Sequence, residues 1–255
     1  MTSATMTDEL FSVREKVVVV TGGGRGLGEM IARGFTERHA KVYIVGRDVD
    51  TLTKTAERLS AAGTCIPVAA DLSTVAGMDA VAEALSAEPA VHVLVNNAGA
   101  NIRGEVGTYP ESAFDDLFAI NVKPVFGLVQ RLLPGLRKAA SPGDPARVVN
   151  IGSVVGLKPS GQGYAYSTTK AAVHALTRHL ALALGPESIT VNAIAPGPFE
   201  TELMAGRMDR IVSQLSIRRP GVDLDLIGAV VFLASRAGAF VHGSVLPVDG
   251  GLAIT

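Results

Sequence analysis

The run KVVVVT, Lys16 to Thr21, restricts the fold of this chain more than any other stretch. It is apolar and β-branched without alternation, which suits a strand buried on both faces of a parallel sheet. TGGGRGLG (Thr21 to Gly28) follows directly, and then LGEMIARGFTERHA places Leu27, Met30, Ile31, Gly34 and Phe35 at helical spacing. Parallel strands must be joined by long crossovers, nearly always right-handed. A chain that opens strand, turn, helix therefore needs more of the same units to cover both faces.

The units recur. KVYIVG (Lys41 to Gly46), TCIPVAA and VHVLVNNAG (Val91 to Gly99) read as strands, separated by the helical stretches VDTLTKTAERLSAAG and VAGMDAVAEALSA. The second half predicts a helix across roughly Ser112 to Ala139, the strand RVVNIG, a helix from about Tyr164 to Leu184, and the strand ITVNAIAP. A helix near Asp223 to Ala234 and a closing strand, SVLPVDGG, complete it. No seam divides the 255 residues, so the reading is one α/β domain over 1–255, a doubly wound parallel sheet of about seven strands with helices on both faces. SPGDPA (Ser141 to Ala146) reads as an exposed turn. The long stretch 197–221, rich in Met, Leu and Phe, is expected to wall or cover a pocket beyond the carboxyl ends of the strands, with a surface helix pair as the alternative.

The glycine turn is suited to phosphate. Glycines permit tight turning and close backbone approach, while a helix N-terminus offers free N–H groups and a positive dipole end. The spacing is T-G-x-x-x-G-x-G rather than G-x-G-x-x-G, since Leu27 stands where the third glycine would fall. Alone, the turn indicates a nucleotide site or a ligand-free glycine turn.

Further motifs occur in order along the chain: the Asp71-Leu72 pair, NNAG at 96–99, Asn121 in AINVKP, Ser153 in NIGSVVG, Tyr166-Ser-Thr-Thr-Lys170, PGPFET at 196–201 and VDGG at 248–251. With TGGGRGLG, this set resembles the short-chain dehydrogenase/reductase family over nearly the whole chain. The resemblance implies a single Rossmann-type domain and hydride transfer between a nicotinamide cofactor and a carbonyl/alcohol pair. It implies Tyr166 as acid/base, Lys170 as its activator and ribose ligand, Ser153 as orienter of the substrate oxygen and Asn121 in a proton relay. The cofactor residues it implies are Thr21, Gly22, Gly24, Arg25, Gly26, Leu27, Gly28, Arg47, Asp71, Leu72, Asn97, Ala98, Gly99, Tyr166, Lys170, Pro196, Gly197 and Thr201. ADLST, ARVVNIGSVVG and YAYSTTKAAV are similar to NADPH-dependent 3-oxoacyl reductases, the rhamnolipid-pathway type among them. Carrier-protein-dependent members place a basic residue late in the catalytic helix, where this chain is apolar from Leu180 to Leu184; Arg137, Lys138 and Arg178 are the basic candidates left.

The chemistry has its own physical basis. Reducing a ketone needs a hydride donor on one side and a proton donor at the oxygen. Tyrosine ionises near ~10, and an adjacent ammonium favours the phenolate. Residues i and i+4 share a helix face, so Tyr166 meets Lys170 while Tyr164 lies well around the helix. A hydroxyl at Ser153 can stabilise a developing alkoxide.

NADP(H) is expected over NAD(H). Gly46 stands where an acid would accept from the ribose 2′-OH, Arg47 follows, and Arg25 lies within the glycine turn; guanidinium suits a phosphate. Asp48 either caps the next helix or pairs with Arg47.

The expected substrate pocket comprises Asn101, Val155, Gln162, Tyr164, Phe199, Leu203, Met204 and Met208, mostly apolar, which suits a hydrophobic ketone or 3-oxoacyl substrate. Ala171, Ala172, Ala175, Leu176, His179, Leu180 and Ala183 form a small-residue stripe fit for helix packing, against the sheet or a second copy; the family implies a homotetramer or homodimer. Lys plus Arg total 23 against 24 Asp plus Glu, leaving no basic field for nucleic acid or a membrane surface. No apolar run reaches the ~18 residues of a span, and the chain reads as cytoplasmic. Cys65 reads as a small buried hydrophobe. The five histidines lack paired acidic ligands at metal spacing, so no metal is expected. The competing readings are an NAD-dependent alcohol dehydrogenase and a non-catalytic nucleotide-binding protein.

Overall fold

A computed structural model describes residues 9–159, 161–200 and 211–255. Thr201, Leu203, Met204 and Met208, and with them part of the 197–221 stretch, lie outside the described residues. Seven strands form one parallel sheet: β1 (Val17–Thr21), β2 (Lys41–Gly46), β3 (Thr64–Ala69), β4 (Val93–Asn96), β5 (Ala146–Ile151), β6 (Ile189–Pro196) and β7 (Val245–Val248). Their spatial order is β3-β2-β1-β4-β5-β6-β7. The strand order reverses between β1 and β4, which opens a crevice at the carboxyl ends of those two strands.

Alternate residues of each central strand serve opposite faces. Val18, Val20, Val42, Ile44, Val93 and Val95 pack with Ile31 and Phe35 of α1 (Gly26–Thr36), Leu52 of α2 (Val49–Ser60), and Leu226 and Val230 of α7 (Asp223–Ala234). On the other face Val17, Val19, Val45, Leu94 and Val148 meet Met78 of α3 (Val75–Ala84), Leu128 and Leu132 of α5 (Lys123–Ala139), and Leu180 and Leu184 of α6 (Tyr164–Leu184). Two-sided burial explains the unalternating strand composition. Cys65 belongs to the first of these cores, and burial pushes its thiol up to about 11.

One expected helix divides. Ser112 to Ala139 is two helices, α4 (Ser112–Asn121) and α5, with the break at Val122 (φ −117, ψ −55). Pro124 sits in the first turn of α5, where its missing N–H costs nothing, and it cannot supply the donor that would carry the α4 ladder on to the carbonyl of Ile120. The break leaves the Asn121 amide free to bond sideways. Of the small-residue stripe, Leu180 packs into the core against the sheet, while Ala171, Ala175, His179 and Ala183 are exposed. Among the described residues no helix is long and apolar enough to cross a membrane.

Candidate active site

The glycine turn leads from the end of β1 into α1. Gly22 and Gly26 adopt positive φ (+63 and +56), conformations that suit glycine. A Cβ at Gly28 would overlap the carbonyl oxygen of Gly22, so the helix can start this close to the strand only without a side chain there. Arg25 occupies the N-cap position but its side chain makes no capping bond, which leaves the first-turn N–H groups of α1 facing the crevice. Thr21 fastens the turn to the neighbouring strand: its Oγ1 accepts from the N–H groups of Asn97 and Ala98 (both 2.9 Å), and Asn97 Nδ2 donates to the Thr21 carbonyl at 2.8 Å. The NNAG loop is thus laid along the turn.

At the end of β2 the Asp48 ambiguity resolves. Asp48 N-caps α2, its Oδ1 accepting from Thr51 N–H at 2.9 Å, and that backbone bond holds its carboxyl below the usual range. Arg47 and Arg25 are exposed. Asp71 follows β3, with Oδ1 accepting from the Ser73 hydroxyl (2.7 Å) and N–H (3.0 Å); the Ser73 hydroxyl is the main reason its carboxyl is held low, with Arg47 adding a smaller pull. The Leu72 side chain is buried in the second core. Pro196 ends β6, and a Cβ at Gly197 would come within 2.6 Å of Asp249 Cα, so VDGG and PGP pack backbone to backbone.

The second half of the crevice contributes side chains. Ser153 follows β5 and caps a single helical turn, Val154–Gly156, its Oγ accepting from Val155 N–H at 3.3 Å. Tyr166 and Lys170 lie one turn apart on α6, and Lys170 Nζ stands 5.7 Å from the Tyr166 ring centroid. Lys170 is buried and donates to the carbonyl of Ile151 at 2.8 Å; burial brings its ammonium down to about 8. Burial pushes the Tyr166 phenol up, and the hydrogen bond with Ser153 pulls it partly back. The protonated phenol is the favoured form here, with the Ser153 hydroxyl as a group that moderates it.

Asn121 joins the same cluster through its amide. Oδ1 accepts from Ala100 N–H at 2.8 Å, and Nδ2 donates to the Ala100 carbonyl (3.0 Å) and to Thr169 Oγ1 (2.9 Å), which in turn donates to the Tyr166 carbonyl at 2.8 Å. Gly99 leaves room for this, since a Cβ would come within 3.0 Å of Asn121 Oδ1. Thr169 was not legible as a site residue; a threonine inside an STT run carries no distinguishing pattern.

The expected pocket residues fall into two groups. Gln162 has a positive φ (+67); its side chain donates to Glu105 and its carbonyl accepts from Gly104 N–H at 3.1 Å. Tyr164 is 37% exposed and meets Tyr109 edge-on, with ring centroids 5.3 Å apart. These contacts bring the loop after β4, which carries Asn101, against the entry to α6. Val155 stands beside Ser153. Phe199 is buried and, with Leu215, Ile217 and Val248, lines a cavity of about 310 Å³ whose described lining does not include Ser153, Tyr166 or Lys170. Among the described residues no three His, Cys, Asp or Glu side chains could hold a metal together.

The arrangement combines a glycine turn at a helix N-terminus, a half-buried phenol with a hydroxyl beside it, and a buried ammonium. The profile of the short chain dehydrogenase family matches residues 16–211. A rhamnolipids biosynthesis 3-oxoacyl-[acyl-carrier-protein] reductase of Pseudomonas aeruginosa is 42% identical over 249 residues, covering 94% of this chain and 97% of that protein. The solved RhlG/NADP active-site complex from Pseudomonas aeruginosa superposes with a TM-score of 0.93 at 40% identity, covering 96% of this chain and 99% of that one. The L-sorbose reductase of Gluconobacter frateurii, solved with NADPH and L-sorbose, gives a TM-score of 0.89 at 28% identity, covering 96% and 99%.

Proposed function

The chain belongs to the short-chain dehydrogenase/reductase family, and from that premise we propose that it is an NADP(H)-dependent reductase of hydrophobic ketones or 3-oxoacyl compounds, working through Asn121, Ser153, Tyr166 and Lys170. The observation that carries the reading is the pair of half-buried Tyr166 and buried Lys170, with Ser153 at the phenol and Asn121 bonded into the same helix.

The cradle fits a dinucleotide. Gly22, Gly26 and Gly28 occupy positions where a side chain would be strained or overlap backbone, and the open N–H groups of α1 suit a pyrophosphate. Thr21, Gly24, Leu27, Asn97, Ala98, Gly99, Asp71, Pro196 and Gly197 would hold the rest, with Lys170 at the ribose. When bound, the nicotinamide supplies the hydride. Tyr166 donates its proton to the carbonyl oxygen, and Ser153 hydrogen-bonds that oxygen as it takes up charge. Lys170 favours the phenolate left behind, and Asn121 holds the helix turn on which both stand.

Exposed Arg47 and Arg25, the absence of an acid at Gly46 and the engagement of Asp48 as a cap all support a 2′-phosphate; both compared structures carry NADP or NADPH. The Tyr109–Tyr164 pair favours an apolar substrate face. An assembly of two or four copies is supported by the exposed side of α6, with Leu182 81% exposed, and by Phe126 on α5.

The test follows NADPH oxidation against hydrophobic ketones, 3-oxoacyl thioesters and ketoses, with NADH in parallel. The reading expects turnover of the first two classes, higher kcat/KM with NADPH, and a loss of about 10³-fold in kcat for Tyr166→Phe. Wild-type turnover in that variant sinks the catalytic assignment. Ketoses as the sole substrates sink the substrate class, and higher kcat/KM with NADH sinks the cofactor preference.

A further inference from the structure

His174 is buried at 2% exposure on α6, one turn beyond Lys170, and neither ring nitrogen makes a well-formed hydrogen bond among the described residues. The activity proposed above assigns it no role, and buried polar groups without partners are unusual. Its surroundings account for it. A Cβ at Gly152 would overlap His174 Nε2, and a Cβ at Gly156 would come within 2.8 Å of Cε1. Those two glycines flank the turn that begins at Ser153 and caps on its hydroxyl. The imidazole therefore occupies a notch cut by GSVVG, with Ser153 held between the two points of contact. The remaining fixed points are backbone bonds, Gly152 N–H to the Ile194 carbonyl at 2.8 Å and Gly156 N–H to the Ser153 carbonyl at 3.0 Å.

Resting on the reading of Ser153 and Tyr166 given above, we propose that His174 is a positioning residue: its ring fills the notch between Gly152 and Gly156 and so sets the Ser153 hydroxyl against the Tyr166 phenol. Shape, rather than hydrogen bonding, does this. The ring is also neutral at physiological pH, because burial, aided by the Lys170 and Arg178 cations and only partly offset by the Gly156 backbone, brings its pKa down to about 4. A neutral ring adds no second charge beside Lys170.

The experiment is a double-mutant cycle read by NADPH oxidation with a 3-oxoacyl thioester and a hydrophobic diketone. His174→Ala empties the notch and is expected to lower kcat about tenfold with KM and NADPH affinity within about twofold, since the loss falls on the transition state. In a Ser153→Ala background the same change should cost less than twofold, because the hydroxyl it positions is already gone. Equal losses in both backgrounds would overturn the proposal, as would no loss in either. Ser153→Ala without effect on kcat would instead overturn the assignment of Ser153 itself. Should His174→Ala not fold, the contact is approached from the other side. Gly152→Ala drives a methyl into the ring and should lower kcat, and Gly152→Ala/His174→Ala should regain at least half of that loss. A double variant no better than Gly152→Ala alone refutes the size match.

Discussion

Two lysines are buried at opposite ends of the same sheet, and they are partnered differently. Lys16, just before β1 at the amino end, lies 3.0 Å from Asp144, and the fully buried Arg147 of β5 shares that carboxylate at 3.1 Å while donating to the Ser235 carbonyl at 2.9 Å. Burial pulls both cations down, and Asp144 pushes back. Lys170, at the carboxyl end, has the Ile151 carbonyl and no carboxylate among its described bonds. A buried ion is costly unless paired, so the amino end is arranged to offset that cost and the carboxyl end retains it. Charge that is left uncompensated is available to a ligand or a developing phenolate. Each end also keeps a histidine neutral. His92 accepts from Val17 N–H at 3.1 Å beside Lys16, and His174 sits one turn from Lys170.

Four measurements break or sharpen that contrast. The largest effect is expected from Lys170→Met. It should lower kcat/KM by about 10²- to 10³-fold while leaving Tm unchanged or higher, because an unpaired buried charge is removed; a clear fall in Tm would show Lys170 to be structural. Second is acid stability. His174 favours the neutral form in the fold, so its contribution is complete above the unfolded value near 6.5 and is lost as pH falls toward about 4. The loss is on the order of 3 kcal/mol, with His92 losing stability in the same direction as its acceptor nitrogen is protonated. Urea unfolding from pH 7 to 4 should show the slope, and His174→Ala should flatten it.

The third is the mirror of the first. Asp144→Asn leaves Lys16 and Arg147 without their carboxylate and should cost about 2 kcal/mol, below the usual cost of breaking a buried pair because Asp144 is 39% exposed. Turnover at 25 °C should stay within about twofold; a tenfold loss would couple the two ends and remove the contrast. The smallest is alkaline. Lys170 is charged below about 8 and neutral above it, so NADPH affinity, read by fluorescence, should weaken severalfold between pH 7.5 and 9 and should not do so in Lys170→Met.

Strands and helices were legible because two-sided burial and helical spacing leave strong patterns. Lys41 to Gly46, Ile189 to Pro196, Tyr164 to Leu184 and Asp223 to Ala234 stand where those patterns put them. The break at Val122 was missed because apolar spacing runs through it, although Pro124 was a visible signal. The YxxxK pair, the glycine turn and Asn121 were legible as a set, through local spacing and a family pattern. His174, Thr169 and Tyr109 were not, since their meaning depends on what lies across from them: a pair of glycines, an amide 48 positions away and a tyrosine at the start of α6. The neighbours of Phe199 were illegible for the same reason; an aromatic beside a motif shows proximity in sequence, not which wall it faces.

The bond between Thr21 and Asn97 spans 76 positions, and it has a consequence for biosynthesis. As the chain leaves the ribosome, β1, the glycine turn, α1 and β2 emerge well before β4 exists to receive Thr21. Loop closure over that separation must precede a formed nucleotide cradle. A nascent chain arrested before β4 should fail to retain dinucleotide even though every glycine of the turn has been made, and competence to bind should arise only when the first four strands are assembled.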